Sequence, residues 1–242
     1  MSKIYLVRHG QAGTRDAYDS LSELGQRQAR LLGEHFVSQR IEFTSAYVGA
    51  MSRQQQTAAL VRAAYDGAGV RFPEVVVERG WDEFDLHQVY REIAPQLCEE
   101  DAEFRSDYEA MRVEVEASAG AHDAEVHRRW RPCDTKVVEA WLGNRYPYGG
   151  ETWEQFRARV EACRLQSAET HREANIVVFT SATPTAIWAG LALGIGDERV
   201  RALAGVLRNA SYTALRGRGE ELRLFSFNET PHLNAPELRT HR

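Results

Sequence analysis

Three short polar segments of this 242-residue chain carry side chains that together could transfer a phosphoryl group. They are residues 8–10, 82–83 and 181–183, and each comes after an apolar run typical of a buried strand. Phosphoryl transfer needs a nucleophile aligned with phosphorus, cationic donors for the non-bridging oxygens and a group that protonates the leaving oxygen. The histidine, arginine, glutamate and serine of these segments match those requirements.

His9 is the candidate nucleophile, because a neutral imidazole can attack phosphorus and hold the phosphoryl group as a covalent intermediate. Arg8 beside it can bind two phosphate oxygens with its planar guanidinium, and Gly10 lets the backbone approach an anion closely. A histidine at the end of a strand can also be a hydrogen-bonded structural residue. The pattern favours a phosphate pocket centred on His9.

Glu83 is the candidate donor of a proton to the leaving group, because it lies in an apolar setting between Trp81 and Phe84. Asp82 and Asp85 are rivals for this role, and any of the three acids could instead be a solvated loop residue. The choice of Glu83 therefore rests on this apolar setting and on its place in the motif Trp81-Asp82-Glu83.

Ser181 and Thr183 follow the last long apolar run, where a helix with Pro184 in its first turn is predicted. Their hydroxyls and the free amides of the helix start can hydrogen-bond an anion. Ser181 can equally be a helix cap or a turn residue.

The elements that must position these residues alternate along the chain. Apolar runs predict strands at residues 4–7, 43–48, 75–77 and 176–179, and a closing hairpin at residues 212–215 and 222–227. Helices are predicted from the N-cap Ser22 to about residue 39, at residues 52–65 with Gly67 as C-cap, after the cap Thr152 and after Ser181. The tail after Asn228 is expected to be loosely held.

This order predicts a three-layer α/β/α sandwich with a mostly parallel central sheet and helices on both faces. We expect a single domain over residues 1–242, with a helical insertion or cap at about residues 86–148, where apolar residues recur at helical intervals. Ligands in such folds bind at the carboxyl ends of the strands. The polar segments should therefore meet at that edge of the sheet.

Several motifs resemble those of the histidine phosphatase superfamily, in its phosphoglycerate mutase-like branch. The signature of that family is a strand followed by Arg-His-Gly-Glu/Gln, and its second arginine lies in a segment like Ser-x-Leu-x-Arg-Ala-x-Gln-Thr-Ala. The matching segments here are residues 7–11, 21–29, 49–58, 81–83, 149–152 and 209–211. The resemblance covers nearly the whole chain outside residues 95–145.

The resemblance implies a role for each matched residue. His9 would be the nucleophile and Glu83 the proton donor, and the phosphate-binding residues would be Arg8, Arg53, Gln11, Ser181 and Thr183. Most members have a second histidine where this chain has Ser181. A neutral hydroxyl should stabilise the transition state less, and a lost donor costs about 10²–10³ in rate. His87, on the chain shortly after Glu83, is a candidate to compensate.

These residues predict a phosphomonoester hydrolase that acts through a phosphohistidine intermediate, with no metal and no other cofactor. Two alternatives stay open: phosphoryl transfer of the phosphoglycerate mutase type, and a catalytically weakened phosphate-binding protein. The expected partner is a small phosphorylated substrate, whose identity the sequence does not indicate.

Composition narrows the remaining classes of function. With a net charge of −5 and interspersed basic residues, the chain has no electrostatic footprint for nucleic acid, and no apolar run is long enough to cross a membrane. The cysteines, Cys98, Cys133 and Cys163, are odd in number and far apart, which favours neither disulfides nor a metal site. We therefore expect a cytoplasmic protein; the sequence indicates no oligomeric state.

Overall fold

The computed structural model describes residues 2–13, 19–117, 131–169, 174–218 and 221–241. These residues divide into two compact units. The first unit holds the described residues of 1–83 and 159–242, and the second holds those of 84–158. A single domain over residues 1–242 stays a prediction. Among the described residues, no helix combines the length and the apolar character needed to cross a bilayer.

A six-stranded sheet forms the centre of the first unit. Its strands are β1 (Lys3–Arg8), β2 (Ser45–Val48), β3 (Val75–Val77), β4 (Asn175–Thr180), β5 (Tyr212–Arg218) and β6 (Glu221–Glu229). They lie in the order β3-β2-β4-β1-β5-β6. Strand β1 is parallel to β4, and β2 is parallel to β3 and β4, whereas β5 is antiparallel to β1 and β6. The prediction of a mostly parallel sheet with a closing hairpin is confirmed.

Helices occupy most of the remaining described chain. In chain order they are α1 (Glu23–Ser38), α2 (Ser52–Gly67), α3 (Leu86–Glu100), α4 (Ala102–Ala117), α5 (Arg131–Leu142), α6 (Trp153–Glu169), α7 (Ala182–Leu193) and α8 (Asp197–Val206). Short 3₁₀ turns lie at Arg79–Trp81 and Pro236–Leu238. Helices α3, α4 and α5 belong to the second unit, and α6 begins there and ends in the first.

Helices α1 and α2 pack on one face of the sheet. Tyr5 and Val7 of β1 share a buried cluster with Phe36 of α1 and Val61 of α2. Gly33 of α1 permits the close approach of α1 to α2, because a Cβ there would lie only 2.7 Å from the Cβ of Ala64. The alternation of β1 side chains thus places every second residue under these two helices.

Helix α7 packs on the opposite face of the sheet, where it contacts β1, β5 and β6. Its Trp188 is fully buried, lies 5.0 Å from Trp81 between ring centroids, and donates its indole N–H to the Val160 carbonyl. A buried indole needs such an acceptor. Helices on both faces confirm the predicted α/β fold class.

Two local predictions are wrong. Helix α2 ends at Gly67, but its C-cap is Ala68, and the residue with a left-handed φ of 67° is Gly69. The tail is not loosely held, since Leu233 is fully buried and Leu238 is 2% exposed. Isolated apolar residues in a polar tail show no periodicity, so no local pattern indicates this packing.

The second unit is helical in the part that the structure describes, near the insertion expected at about residues 86–148. Phe84 stacks on Trp141 with ring centroids 4.6 Å apart, and Trp141 meets Trp153 edge to face. Trp141 therefore packs in an aromatic cluster. The sequence of residues 118–123, which contains Gly120, predicts a break in the helical insertion, and these residues lie outside the described part of the chain.

Candidate active site

The register between β1 and β4 brings two of the polar segments together. Arg8 pairs with Thr180 across the sheet, and the His9 amide donates to the Thr180 carbonyl at 2.9 Å. His9 therefore lies beside Ser181, although the two residues are far apart in the sequence. On the other side of His9, its carbonyl accepts from the Ala210 amide at 3.0 Å.

Hydrogen bonds fix the protonation state of His9. Its Nδ1 lies 2.7 Å from the Gly10 carbonyl oxygen, which can only accept, so Nδ1 carries the proton. The Nε of Arg53 can only donate, and it lies 3.2 Å from Nε2 of His9. Nε2 therefore holds a lone pair, and the ring is a neutral imidazole.

Burial and charge keep His9 neutral in solution. Burial, then the positive charges of Arg53 and Arg8, lower the pKa of His9 well below its usual value, and the bond to Gly10 only partly opposes this. The side chain is 3% exposed. The imidazole is thus unprotonated near neutral pH, as a nucleophile must be.

Arg53 lies in the first turn of α2 and is 5% exposed. Besides the bond from Nε to His9, its Nη1 forms an ion pair of 3.0 Å with Asp19, which also accepts from the Ser52 amide at 3.2 Å. Asp19 was not among the residues singled out from the sequence. Nothing in its neighbours suggested this contact, because the ion pair depends on where α2 begins.

Arg8 is 6% exposed and donates through Nη1 to the Leu207 carbonyl. Its positive charge acts on the imidazole of His9, whose pKa it lowers. Gln11 has a different set of contacts: its side-chain oxygen accepts from the Ser22 hydroxyl at 2.9 Å, and its amide donates to Gln28. Ser22 in turn caps α1 through the Gly25 amide. A phosphate contact by Gln11 stays a prediction.

The three candidate acids have separate contacts. Glu83 accepts from the Thr183 amide at 3.1 Å, at the start of α7. Asp82 accepts from the Ala50 amide, and burial raises its pKa against the opposing effect of that bond. Asp85 caps α3 through the Gln88 amide. Glu83 is therefore the acid joined to the segment that carries Ser181, and Asp82 remains its rival.

Ser181 occupies the N-cap position of α7, but its side chain forms no capping bond. Instead its Oγ accepts from Nε2 of Gln54 at 2.8 Å. Gln54 is fully buried and was also not singled out from the sequence, although it directly follows Arg53. The backbone of Ser181 thus occupies the predicted helix cap, but its side chain does not cap the helix.

The first unit therefore brings three of the predicted residues next to His9. Arg53 contacts His9 directly, Arg8 adjoins it, and Ser181 is beside it through the β1–β4 register. The residue after His9 is also bonded to α2, because the Gly10 amide donates to the Thr57 hydroxyl at 3.1 Å. His87, the candidate compensating residue, lies in the second unit on α3. A neutral imidazole flanked by two buried guanidiniums is suited to attack on a phosphoryl group.

Comparison with known proteins identifies the family of the chain. Residues 4–144 and 134–230 match the profile of the histidine phosphatase superfamily (branch 1). The chain belongs to that superfamily.

Two curated relatives are similar to part of the chain. A segment of 110 residues is 28% identical to the protein named Serine/threonine-protein phosphatase Pgam5, mitochondrial, of Caenorhabditis briggsae, and covers 45% of this chain and 39% of that protein. The Caenorhabditis elegans protein of the same name is 29% identical over 107 residues, which cover 43% of this chain and 38% of that protein. The chain thus matches well under half of the length of these curated relatives.

Solved structures show the same fold. Bacillus stearothermophilus YhfR superposes with a TM-score of 0.62 at 17% identity, over 96% of this chain and 99% of that one. A phosphoglycerate mutase from Bacillus anthracis str. Sterne superposes with a TM-score of 0.57 at 17% identity, over 96% of this chain and 94% of that one.

Proposed function

We propose that this protein is a phosphomonoester hydrolase whose His9 carries the phosphoryl group between two displacements. The observation that carries the proposal is the pair of bonds on His9, which leave a lone pair on Nε2 beside the guanidinium of Arg53. Membership of the histidine phosphatase superfamily supports it.

In the first displacement, Nε2 of His9 attacks phosphorus, the P–N bond forms and the bond to the leaving oxygen breaks. Arg8 and Arg53 bind the non-bridging oxygens, where negative charge is concentrated. Glu83 gives its proton to the leaving alkoxide, so that a neutral alcohol departs. The Arg53–His9 bond must open before the attack, because the same lone pair forms the new bond.

In the second displacement, water attacks the phosphohistidine and the P–N bond breaks. The Glu83 carboxylate takes a proton from that water, which restores the acid for the next cycle. Inorganic phosphate leaves, and His9 returns to the neutral form. The two arginines supply the positive charge in both steps.

The proposed substrate class is a small phosphomonoester. Among the structural neighbours are a putative alpha-ribazole-5'-P phosphatase from Escherichia coli and the mycobacterial glucosyl-3-phosphoglycerate phosphatase Rv2419c, while the curated relatives are named protein phosphatases. A panel of sugar phosphates, phosphoglycerates and phosphoserine peptides separates these classes. We also propose a cytoplasmic location, which the three free cysteines support.

The direct test is to trap the intermediate. Wild-type protein mixed with ³²P-labelled phosphomonoester and quenched in alkali should retain label, because phosphohistidine survives base. The His9→Ala variant should retain none and should not turn over. The matched control is His241→Ala, since His241 is exposed in the tail. Equal labelling of wild-type and His9→Ala protein would overturn the proposal.

Ser181 favours one other function, that of a weakly catalytic phosphate-binding protein, because its hydroxyl carries no charge to stabilise the transition state. Normal binding of phosphate with no turnover on any phosphomonoester would establish it. A mutase is tested by 3-phosphoglycerate isomerisation with and without the bisphosphorylated primer, and dependence of the rate on the primer would favour it.

A further inference from the structure

Gln54 places a fully buried amide beside the proposed active site. It directly follows Arg53 in the first turn of α2, and its Nε2 donates to the Ser181 hydroxyl at 2.8 Å and to the Trp81 carbonyl at 3.2 Å. One amide group thereby links the starts of α2 and α7 with the turn that precedes Glu83. Burying an amide in an apolar core costs free energy unless its hydrogen bonds repay the cost.

The orientation of this amide is determined by its neighbours. The Trp81 carbonyl can only accept, and it also accepts from the Thr180 hydroxyl at 2.6 Å. Turning the Gln54 amide over would place two acceptor oxygens against each other. Nε2 must therefore face Trp81, and its second hydrogen points to Ser181.

This orientation of the Gln54 amide makes the Ser181 oxygen an acceptor towards Gln54. Its Oγ accepts a hydrogen from Gln54, which has no acceptor left on that side, so the hydroxyl proton must point elsewhere. Ser181 lies beside His9, whose amide bonds to the preceding residue, Thr180. The hydroxyl can thus donate its proton only to a group other than Gln54.

The space for Gln54 depends on Gly49. A Cβ at that position would lie 1.9 Å from the Gln54 Oε1 and 2.7 Å from the Asp82 Oδ1. Gln54 Oε1 is buried and has no hydrogen-bond partner among the described residues. The amide is therefore retained for its two donors, at the cost of an unsatisfied oxygen.

We propose that Gln54 is a positioning residue, which orients the Ser181 hydroxyl so that its proton is donated to the phosphoryl group in the transition state. The proposal rests on the proposed phosphatase function. Because Gln54 acts only through Ser181, its contribution must disappear when the hydroxyl is removed.

A double-mutant cycle tests this dependence with Gln54→Met, Ser181→Ala and the double variant. Each single variant should lower kcat on a small phosphomonoester by about 10- to 100-fold, with a smaller effect on KM. The double variant should fall within about threefold of Ser181→Ala. Gln55→Met is the control, because Gln55 is exposed on the same turn, and its kcat should equal that of the wild type.

Several results would overturn the proposal. One is a Gln54→Met effect that is as large in the Ser181→Ala background as in the wild type, since it would show a purely structural role. Another is an unchanged kcat in Ser181→Ala. If Gln54→Met does not fold, the side-chain amide NMR signal of Gln54 is followed instead. Inorganic phosphate should shift that signal in the wild type and leave it unmoved in Ser181→Ala, and equal shifts would contradict the proposal.

Failure of the proposed function is recognised separately. If wild-type protein shows no His9-dependent turnover, the phosphatase proposal fails. The affinity for inorganic phosphate is then measured in the wild type and in the three variants of the double-mutant cycle. Non-additive losses of affinity would still support the action of Gln54 through Ser181. Additive losses would overturn it.

Discussion

The guanidinium of Arg53 donates from Nε to Nε2 of His9 over 3.2 Å. The same side chain forms an ion pair from Nη1 to Asp19 at 3.0 Å. Two nitrogens of Arg53, Nε and Nη1, are therefore bonded, and Nε is directed at the nitrogen that would attack phosphorus. An incoming phosphoryl group has to replace the imidazole as the partner of Nε.

The geometry of this guanidinium should matter more than its charge. In Arg53→Lys the positive charge remains, but the ammonium cannot form a planar fork to phosphate. We expect kcat/KM on a phosphomonoester to fall by about 100-fold. Arg62→Lys is the control, since Arg62 is exposed on α2 and pairs with Asp66. An Arg53→Lys variant with nearly wild-type kcat/KM would show that a point charge suffices.

Asp19 should weaken the binding of phosphate, because its carboxylate neutralises Arg53 and repels an anion. The side chain is 60% exposed, so the effect is moderate. In Asp19→Asn, competitive inhibition by inorganic phosphate should become about three- to fivefold stronger. This difference between the variant and the wild type should shrink at high salt, because salt screens the charge of Asp19. Asp66→Asn should leave it unchanged. Weaker inhibition in Asp19→Asn would mean that Asp19 mainly holds Arg53 in position.

Loss of the proton donor should depend on the leaving group. Glu83→Gln should lower kcat/KM for an alkyl phosphate by about 10²- to 10⁴-fold. The loss for p-nitrophenyl phosphate should be much smaller, because nitrophenolate leaves without a proton. Asp85→Asn serves as control, since Asp85 caps α3. The rival acid is assessed with Asp82→Asn, and a leaving-group dependence in that variant alone would assign the role to Asp82.

Acid should destabilise the fold through buried His232. Burial and the neighbouring His35 lower the pKa of His232 to about 3. A histidine in the unfolded chain titrates near pH 6.5, so below that pH the unfolded state binds more protons, and the free energy of unfolding falls. Down to the folded-state pKa, this one group contributes at most about 1.4 kcal/mol per pH unit.

Urea unfolding at about pH 7 and about pH 5 measures this effect. The His232→Phe variant should lose less stability between the two conditions than wild-type protein does. The stability of the variant will still depend on pH to some extent, because the pKa of His9 is also lowered. The exposed His241 provides the control variant, His241→Phe. An identical loss in wild-type and His232→Phe protein would show that His232 is not responsible.

Much of the fold was predictable from the sequence because its signals are local. The continuous apolar runs of β1 and β4 and the Ser22 cap of α1 depend only on neighbouring residues, and the structure has each of them near the predicted position. Prediction failed where packing decides, as for the tail: Leu233 and Leu238 are buried, and the Leu238 carbonyl accepts from the distant Gln28.

The sequence by itself determined the chemical identity of the candidate site, since Arg8, His9 and Arg53 lie in motifs that can be read directly. Only the tertiary structure decided which contacts these residues make. The β1–β4 register sets His9 beside Ser181, and the placement of α2 brings Arg53 to His9 and Gln54 to Ser181. Such contacts join residues far apart in the chain. They depend on hydrogen-bond geometry to within a few tenths of an ångström, which no local pattern encodes.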